Sequence, residues 1–155
     1  MKKFFTTSFI VLCFVVGISS PLQNSFICPA SELKNQLKPM LKPDYKYDSS
    51  KTTRIALNGE KQVKEIEVPL FIGEKYKFIF NAAELPNDVN IVIYDKKMGK
   101  KNREVLYSNQ AEKKAGKKTF VYEPEKSRTM YINYDIPASE EGESGCIVFL
   151  LGYRI

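Results

Sequence analysis

The chain has 155 residues, 24 Lys+Arg against 18 Asp+Glu for a formal charge of +6, and neither histidine nor tryptophan. Without histidine, a Ser-His-Asp or Cys-His catalytic arrangement cannot be assembled. No phosphate loop, dinucleotide glycine motif or nucleic-acid-binding signature is present, so no cofactor and no nucleic-acid partner is expected.

The first residues point to export. Lys2 and Lys3 precede an apolar run from Phe4 to Ile18, broken only by Thr6, Thr7 and Ser8, and Gly17, Ser19 and Ser20 follow as small residues. Positive end, apolar segment and small-residue site are the order of a secretory signal peptide. Cleavage is expected after Ser19, because Pro21 disfavours cleavage after Ser20, so residues 1–19 form the leader. The apolar run of about 15 residues falls short of the roughly 20 that span a bilayer. The mature chain is therefore expected to be periplasmic or secreted, with no transmembrane segment. A lipoprotein is disfavoured, since Cys13 follows Leu12 and Cys28 follows Ile27 rather than a small residue. Lys2 and Lys3 leave with the leader while no acid does, which lowers the net charge to +4. That balance permits attraction to anionic envelope polymers without demanding it. Cys28 and Cys146 remain as the mature cysteines. In an oxidising compartment they most simply pair with each other; the other arrangement is two separately buried thiols.

Residues 20–43 read as a lead-in with one short helix. Pro29 suits a first helical position, Leu33 and Leu37 share a face, and Pro39 and Pro43 stop it. The helix is expected to pack on an edge or end of the β-structure formed by the rest of the chain. Residues 44–155 change to a period of two. Tyr45 and Tyr47 alternate with Lys46 and Asp48, Thr52 to Leu57 reads as a strand, and Asn58-Gly59 is a hairpin signal. Val63 to Ile72 puts Ile66, Val68, Leu70 and Ile72 on one face, with Pro69 requiring an edge or bulge. Lys75 to Asn81 points Tyr76, Phe78 and Phe80 one way. Val89 to Asp95 is apolar on both parities and reads as a central strand. Lys96 to Arg103 is an exposed, basic hairpin loop, followed by a strand from Arg103 to Ser108 and a polar stretch from Asn109 to Lys118. Thr119 to Tyr122 is a short strand. Arg128 to Ile136 turns Met130, Ile132, Tyr134 and Ile136 to one side, and Cys146 to Leu151 is the best candidate for a fully buried strand. About eight short strands with turn residues between them predict an all-β, antiparallel, jelly-roll-like sandwich in one domain.

The order "apolar strand, Gly73-Glu74-Lys75-Tyr76, alternating strand, Asp88-Val89-Asn90-Ile91-Val92-Ile93-Tyr94-Asp95, lysine-rich turn" resembles the bacterial pre-peptidase C-terminal domains. The later Glu123-Pro124 and Thr129-Met130-Tyr131-Ile132-Asn133-Tyr134 segments fit the same plan, so the resemblance runs from about Val63 to Tyr153. It implies a jelly-roll-like sandwich of the kind attached to secreted enzymes. The chain departs from that family in carrying no enzyme and no acidic cluster before the first strand. The closing Gly145-Cys146-Ile147-Val148-Phe149-Leu150-Leu151-Gly152-Tyr153 also resembles small free-standing secreted proteins of Bacteroidetes-type bacteria.

Two groups are candidates for binding. Lys96, Lys97, Lys100, Lys101 and Arg103 gather positive charge on one hairpin, which suits anionic lipid, lipopolysaccharide or acidic glycan. Tyr94 and Tyr131 fall opposite strong apolar neighbours and could stack on sugar rings. Glu140, Glu141 and Glu143 are the one carboxylate cluster, but a solvated loop with Gly142 and Ser144 supplies neither the fixed separation nor the raised pKa that hydrolysis needs. The spacing from Asp135 to Glu143 matches no calcium-loop signature, and no metal site is expected. The expected function is a non-catalytic secreted or periplasmic binding or accessory module. Its rivals are a carbohydrate-binding module and a structural subunit of an envelope complex, so the partner is an envelope protein or a glycan.

Overall fold

The computed structural model describes residues 26–86, 89–140 and 142–155. The expected leader and Glu141 lie outside the described residues. Helix α1 (Ala30–Leu37) continues into a 3-10 turn (Lys38–Leu41) and is followed by β1 (Lys46–Ala56), β2 (Gln62–Val68), β3 (Lys75–Asn81), β4 (Asn90–Tyr94) and β5 (Val105–Ser108). A short helix α2 (Gln110–Lys114) then leads to β6 (Thr119–Tyr122), β7 (Met130–Ile136) and β8 (Ser144–Arg154). The strands form two antiparallel sheets, ordered β1-β8-β3-β6 and β2-β7-β4-β5. Among the described strands, β4 and β5 are the one successive pair that are hydrogen-bonded neighbours; every other successive pair steps between the sheets. That is the eight-stranded jelly roll, and the expected all-β sandwich is the observed one.

Alternation explains the core. Tyr76, Phe78 and Phe80 of β3 and Ile147, Phe149 and Leu151 of β8 face inward from the first sheet. Ile91 and Ile93 of β4 and Met130, Ile132, Tyr134 and Ile136 of β7 meet them from the second. The Phe149 ring sits 5.2 Å from Phe80 and 5.3 Å from Phe78, the separation at which aromatic pairs attract. β8 is apolar on its other parity too: Cys146, Val148 and Leu150 point outward, beside Ile79 of β3. Leu33, Leu37 and Leu41 cover them, so α1 lies across the outer face of the first sheet rather than at an edge or end of the sandwich. Cys28 and Cys146 are disulfide-bonded with a Cα–Cα separation of 5.9 Å, which fastens the chain just before α1 to the beginning of β8.

Four local expectations are corrected. Asn58-Gly59 does not close a hairpin, because β1 pairs with β8 and β2 with β7. The turn is a corner between sheets. The Asn58 side-chain oxygen accepts the Glu60 N–H at 3.1 Å, and the Asn58 carbonyl accepts the Ser139 N–H at 2.7 Å. The same side-chain chemistry serves a corner as well as a hairpin. The two segments around Tyr47 and Thr52 are one strand, its register shifted between Tyr47 and Ser49. The polar stretch after Asn109 contains α2, anchored by buried Asn109, whose side-chain oxygen accepts the Ile91 N–H at 3.0 Å. Finally, Ile72 does not share the buried face of Ile66 and Val68. The ladder ends at Val68–Met130, Leu70 is the last buried residue, and Phe71 and Ile72 are 75% and 93% exposed. Pro69 has no N–H to continue the ladder, and Gly73 at φ +98 turns the chain into β3.

The disulfide closes a loop of 118 residues. Replacing both cysteines with alanine is expected to lower stability by about 2–4 kcal/mol. Urea denaturation measures this, and hydrogen exchange should show the amides of α1 losing protection first. An unchanged midpoint with a protected helix would mean that leucine packing alone holds α1.

Candidate functional site

The two outer faces of the sandwich differ. α1 and the disulfide cover the outer face of the first sheet, whereas the β4–β5 hairpin folds back over part of the outer face of the second and Lys113 of α2 reaches Asn90 near its other end. Register places Glu65, Asn133 and Val92 side by side on that face, and Glu67, Tyr131 and Tyr94 in the adjacent outward row. Arg103, at the far end of the hairpin loop, reaches into the first row. One of its terminal nitrogens donates to Glu65 at 2.5 Å and to Asn133 Oδ1 at 2.8 Å, and its Nε donates to the Lys96 carbonyl at 2.6 Å. The guanidinium also lies 3.6 Å from the centre of the Tyr94 ring. The Met98 N–H donates to both Glu65 oxygens, at 3.1 and 3.0 Å. Only 16% of Arg103 and 12% of the Glu65 side chain reach solvent, so the pair is weakly screened and charge-assisted. At the base of the hairpin, Asp95 accepts the Glu104 N–H at 2.7 Å. That hydrogen bond, with Lys96 nearby, holds the Asp95 carboxyl below the usual carboxylate range.

The basic residues singled out in sequence thus divide. Arg103 is committed inward and braces the loop. Lys96 donates to the Asn102 carbonyl at 2.6 Å. Lys97, Lys100 and Lys101 are exposed and belong to no ion pair among the described residues. All four lysines, with Asp95, Thr129 and Tyr131, border one shallow depression of about 360 Å³. Tyr131 is therefore brought to the lysines. Tyr94, its neighbour across the ladder, carries the Arg103 guanidinium over its ring instead. Sequence reasoning missed Glu65 and Asn133, the seat of the hairpin. Each occupies an ordinary outward position of an alternating strand, and no local pattern marks it.

The acidic loop lies at the opposite end of the sandwich. Glu140 and Glu143 are exposed there, and the Glu143 carbonyl accepts the Leu57 N–H at 2.8 Å. Asp135 is not part of that loop but sits on β7, opposite Val63 and Asn90. Among the described residues, no group of three or more carboxylates and cysteines gathers to hold a metal. A larger depression of about 450 Å³, at the open β5–β6 edge, is lined by Glu104, Glu123 and Glu125 together with Lys126 and Arg128. Its charges are mixed, and Glu123 is already held by the Tyr45 hydroxyl at 2.7 Å and Lys77 at 3.0 Å. No helix among the described residues is long and apolar enough to cross a membrane. No protein-family model matches the chain, and no curated protein is significantly similar to it.

Two outcomes test this electrostatic frame. Glu65→Ala leaves Arg103 nearly buried and unmatched, which is expected to cost about 3 kcal/mol in urea unfolding. It should also speed amide exchange across residues 96–103, and an unperturbed hairpin would show that Arg103 does not depend on Glu65. Asp135 behaves in the opposite sense. Burial raises its carboxyl above the ordinary 3.8, against the pull of Arg103 and Lys61. Its contribution favours folding below the unfolded value and is lost as pH rises through the folded one. Charged Asp135 therefore opposes folding at neutral pH. Asp135→Asn should raise the melting temperature at pH 7, with the gain disappearing below about pH 4. A gain that grew on acidification would reverse the assignment.

Proposed function

We propose that the protein is a non-catalytic, secreted or periplasmic binding module that recognises an anionic ligand with its β4–β5 hairpin. The observation that carries this reading is the convergence of Lys96, Lys97, Lys100, Lys101 and Tyr131, with Asp95 as the one acid, around one depression beside the hairpin on the second sheet. A purely solvated charge run needs no brace, yet Glu65, Asn133 and Arg103 hold this loop against the sheet, which limits the entropy lost on binding. Three exposed ammonium groups around a shallow, open site suit a repeating or surface-borne anion better than one small buried ligand. The covered Tyr94 ring weighs against a stacking carbohydrate-binding module. Export rests on the Lys2–Ser20 pattern and is supported by the disulfide, which belongs in an oxidising compartment.

Titration with dextran sulfate, a soluble polyanion without apolar groups, tests the reading. Binding is expected at low ionic strength and should weaken steeply as salt shortens the Debye length. Lys97→Glu, Lys100→Glu and Lys101→Glu together should reduce affinity more than about 30-fold at low salt, since each charge near an anionic partner contributes about 1 kcal/mol. Lys113→Glu and Lys114→Glu, on α2 at the other end, should have little effect. Equal losses from both sets would reduce the site to diffuse net charge.

A further inference from the structure

We infer that the anionic partner of the hairpin is a lipid surface, into which the Phe71-Ile72 turn inserts; this rests on the hairpin reading above. The two features share one strand. Glu65 of β2 anchors the hairpin through the Met98 N–H, and six residues further on the same chain turns with Phe71 and Ile72 75% and 93% exposed. Isolated exposed apolar residues are ordinary, but two adjacent ones at the tip of a tight turn concentrate apolar surface where it meets a partner first. The turn is held in shape. The Phe71 N–H donates to the Tyr76 hydroxyl at 3.1 Å, and that hydroxyl donates to Glu74 at 2.6 Å, which leaves the two side chains as the projecting groups.

The surroundings complete an interfacial pattern. β2 ends, β4 turns into β5, β7 begins and β8 finishes at this same end of the sandwich. Met98, 52% exposed, sits at the hairpin tip between Lys97 and Lys100, and Ile155, 97% exposed, follows Arg154, which pairs in register with Lys75. Apolar side chains at turn tips with lysines around them match the two layers of an anionic membrane surface, acyl chains below and negative headgroups above. A soluble acidic polymer would use the lysines and leave Phe71 and Ile72 without a role. Acids stand among these groups too: Asp95 borders the lysine depression, and Asp48 and exposed Glu67 border the hollow beside Phe71, but Glu65 is paired with Arg103 and the four lysines outnumber Asp95 at the hairpin.

The chain contains no tryptophan, so Phe71→Trp supplies a single reporter. With vesicles of phosphatidylcholine containing about a third phosphatidylglycerol, its emission should shift to the blue. With dextran sulfate it should not shift, although the protein still binds. Phe71→Ser with Ile72→Ser should weaken co-sedimentation with those vesicles about 30-fold while leaving dextran sulfate affinity unchanged. An unshifted tryptophan on bound vesicles, or vesicle binding unaffected by the double serine change, overturns the lipid inference while the hairpin reading stands. Binding to dextran sulfate but not to vesicles does the same, and points to a soluble or protein-borne anion. Absence of binding to both probes overturns the hairpin reading and this inference with it.

Discussion

Strand β8 presents apolar side chains on both of its faces, and a strand of that kind must be covered twice. Ile147, Phe149 and Leu151 meet the opposite sheet; Cys146, Val148 and Leu150 meet α1. Once that second cover is required, much of the first sheet is fixed. Ile79 can stand among Lys75 and Lys77 because it lies under the helix, and Gly152 must lack a side chain because Leu41 occupies the space beside it. Each of the three covering leucines gains about 1.5–3 kcal/mol from burial. An eight-residue helix would not hold together on propensity alone in water. Its stability is borrowed from β8, and the Cys28–Cys146 bridge limits how far it can depart.

Sealing one face leaves the other available. On the second sheet the same economy of charge operates in miniature. Arg103 gives up solvent for Glu65, Asn133 and the face of Tyr94, an arrangement in which each hydrogen-bonding partner has a defined place. The lysines of the same loop stay in water. A guanidinium suits the buried position because its planar fork serves several acceptors at once, whereas ammonium groups are more strongly hydrated. The loop is thus rigid at its root and charged at its rim. Exposed charge alone says little about function, but exposed charge on a braced loop is a shaped surface.

How legible this was in the sequence depended on which force was in control. Where period-two alternation governed, as in β3 and β7, the buried residues followed directly from parity, because each faces solvent or helix on one side and core on the other. β1 was harder to delimit: Ile55 is its only buried residue, and its length comes from the ladder with β8 rather than from any pattern of its own. Asn58-Gly59 identified a turn correctly but not its partners, since an Asx turn is local and strand pairing is not. The site was half visible. The lysines were conspicuous, and Tyr131 was picked out by parity, but Glu65 and Asn133 acquire meaning only when β2, β7 and the hairpin come together. The inward commitment of Arg103 was likewise invisible among five neighbouring cations.

Pro69 joins the edge of the sandwich to its surface chemistry. β2 is an edge strand, and an open edge invites pairing with another chain. Two devices oppose that. Lys64 reaches across to the Arg54 carbonyl at 2.6 Å, tying the β2 edge to the β1 edge, and Pro69 stops the ladder after Val68. A strand added at the β2 edge would have to displace the first and could not extend past the second. The proline that blunts the edge also ends the alternation that would have buried Ile72. Two side chains that sequence parity assigns to a strand are thereby released at its tip, about 20 Å of extended chain beyond the lysine hairpin's anchor at Glu65. Edge protection and the exposed apolar turn are thus consequences of one residue.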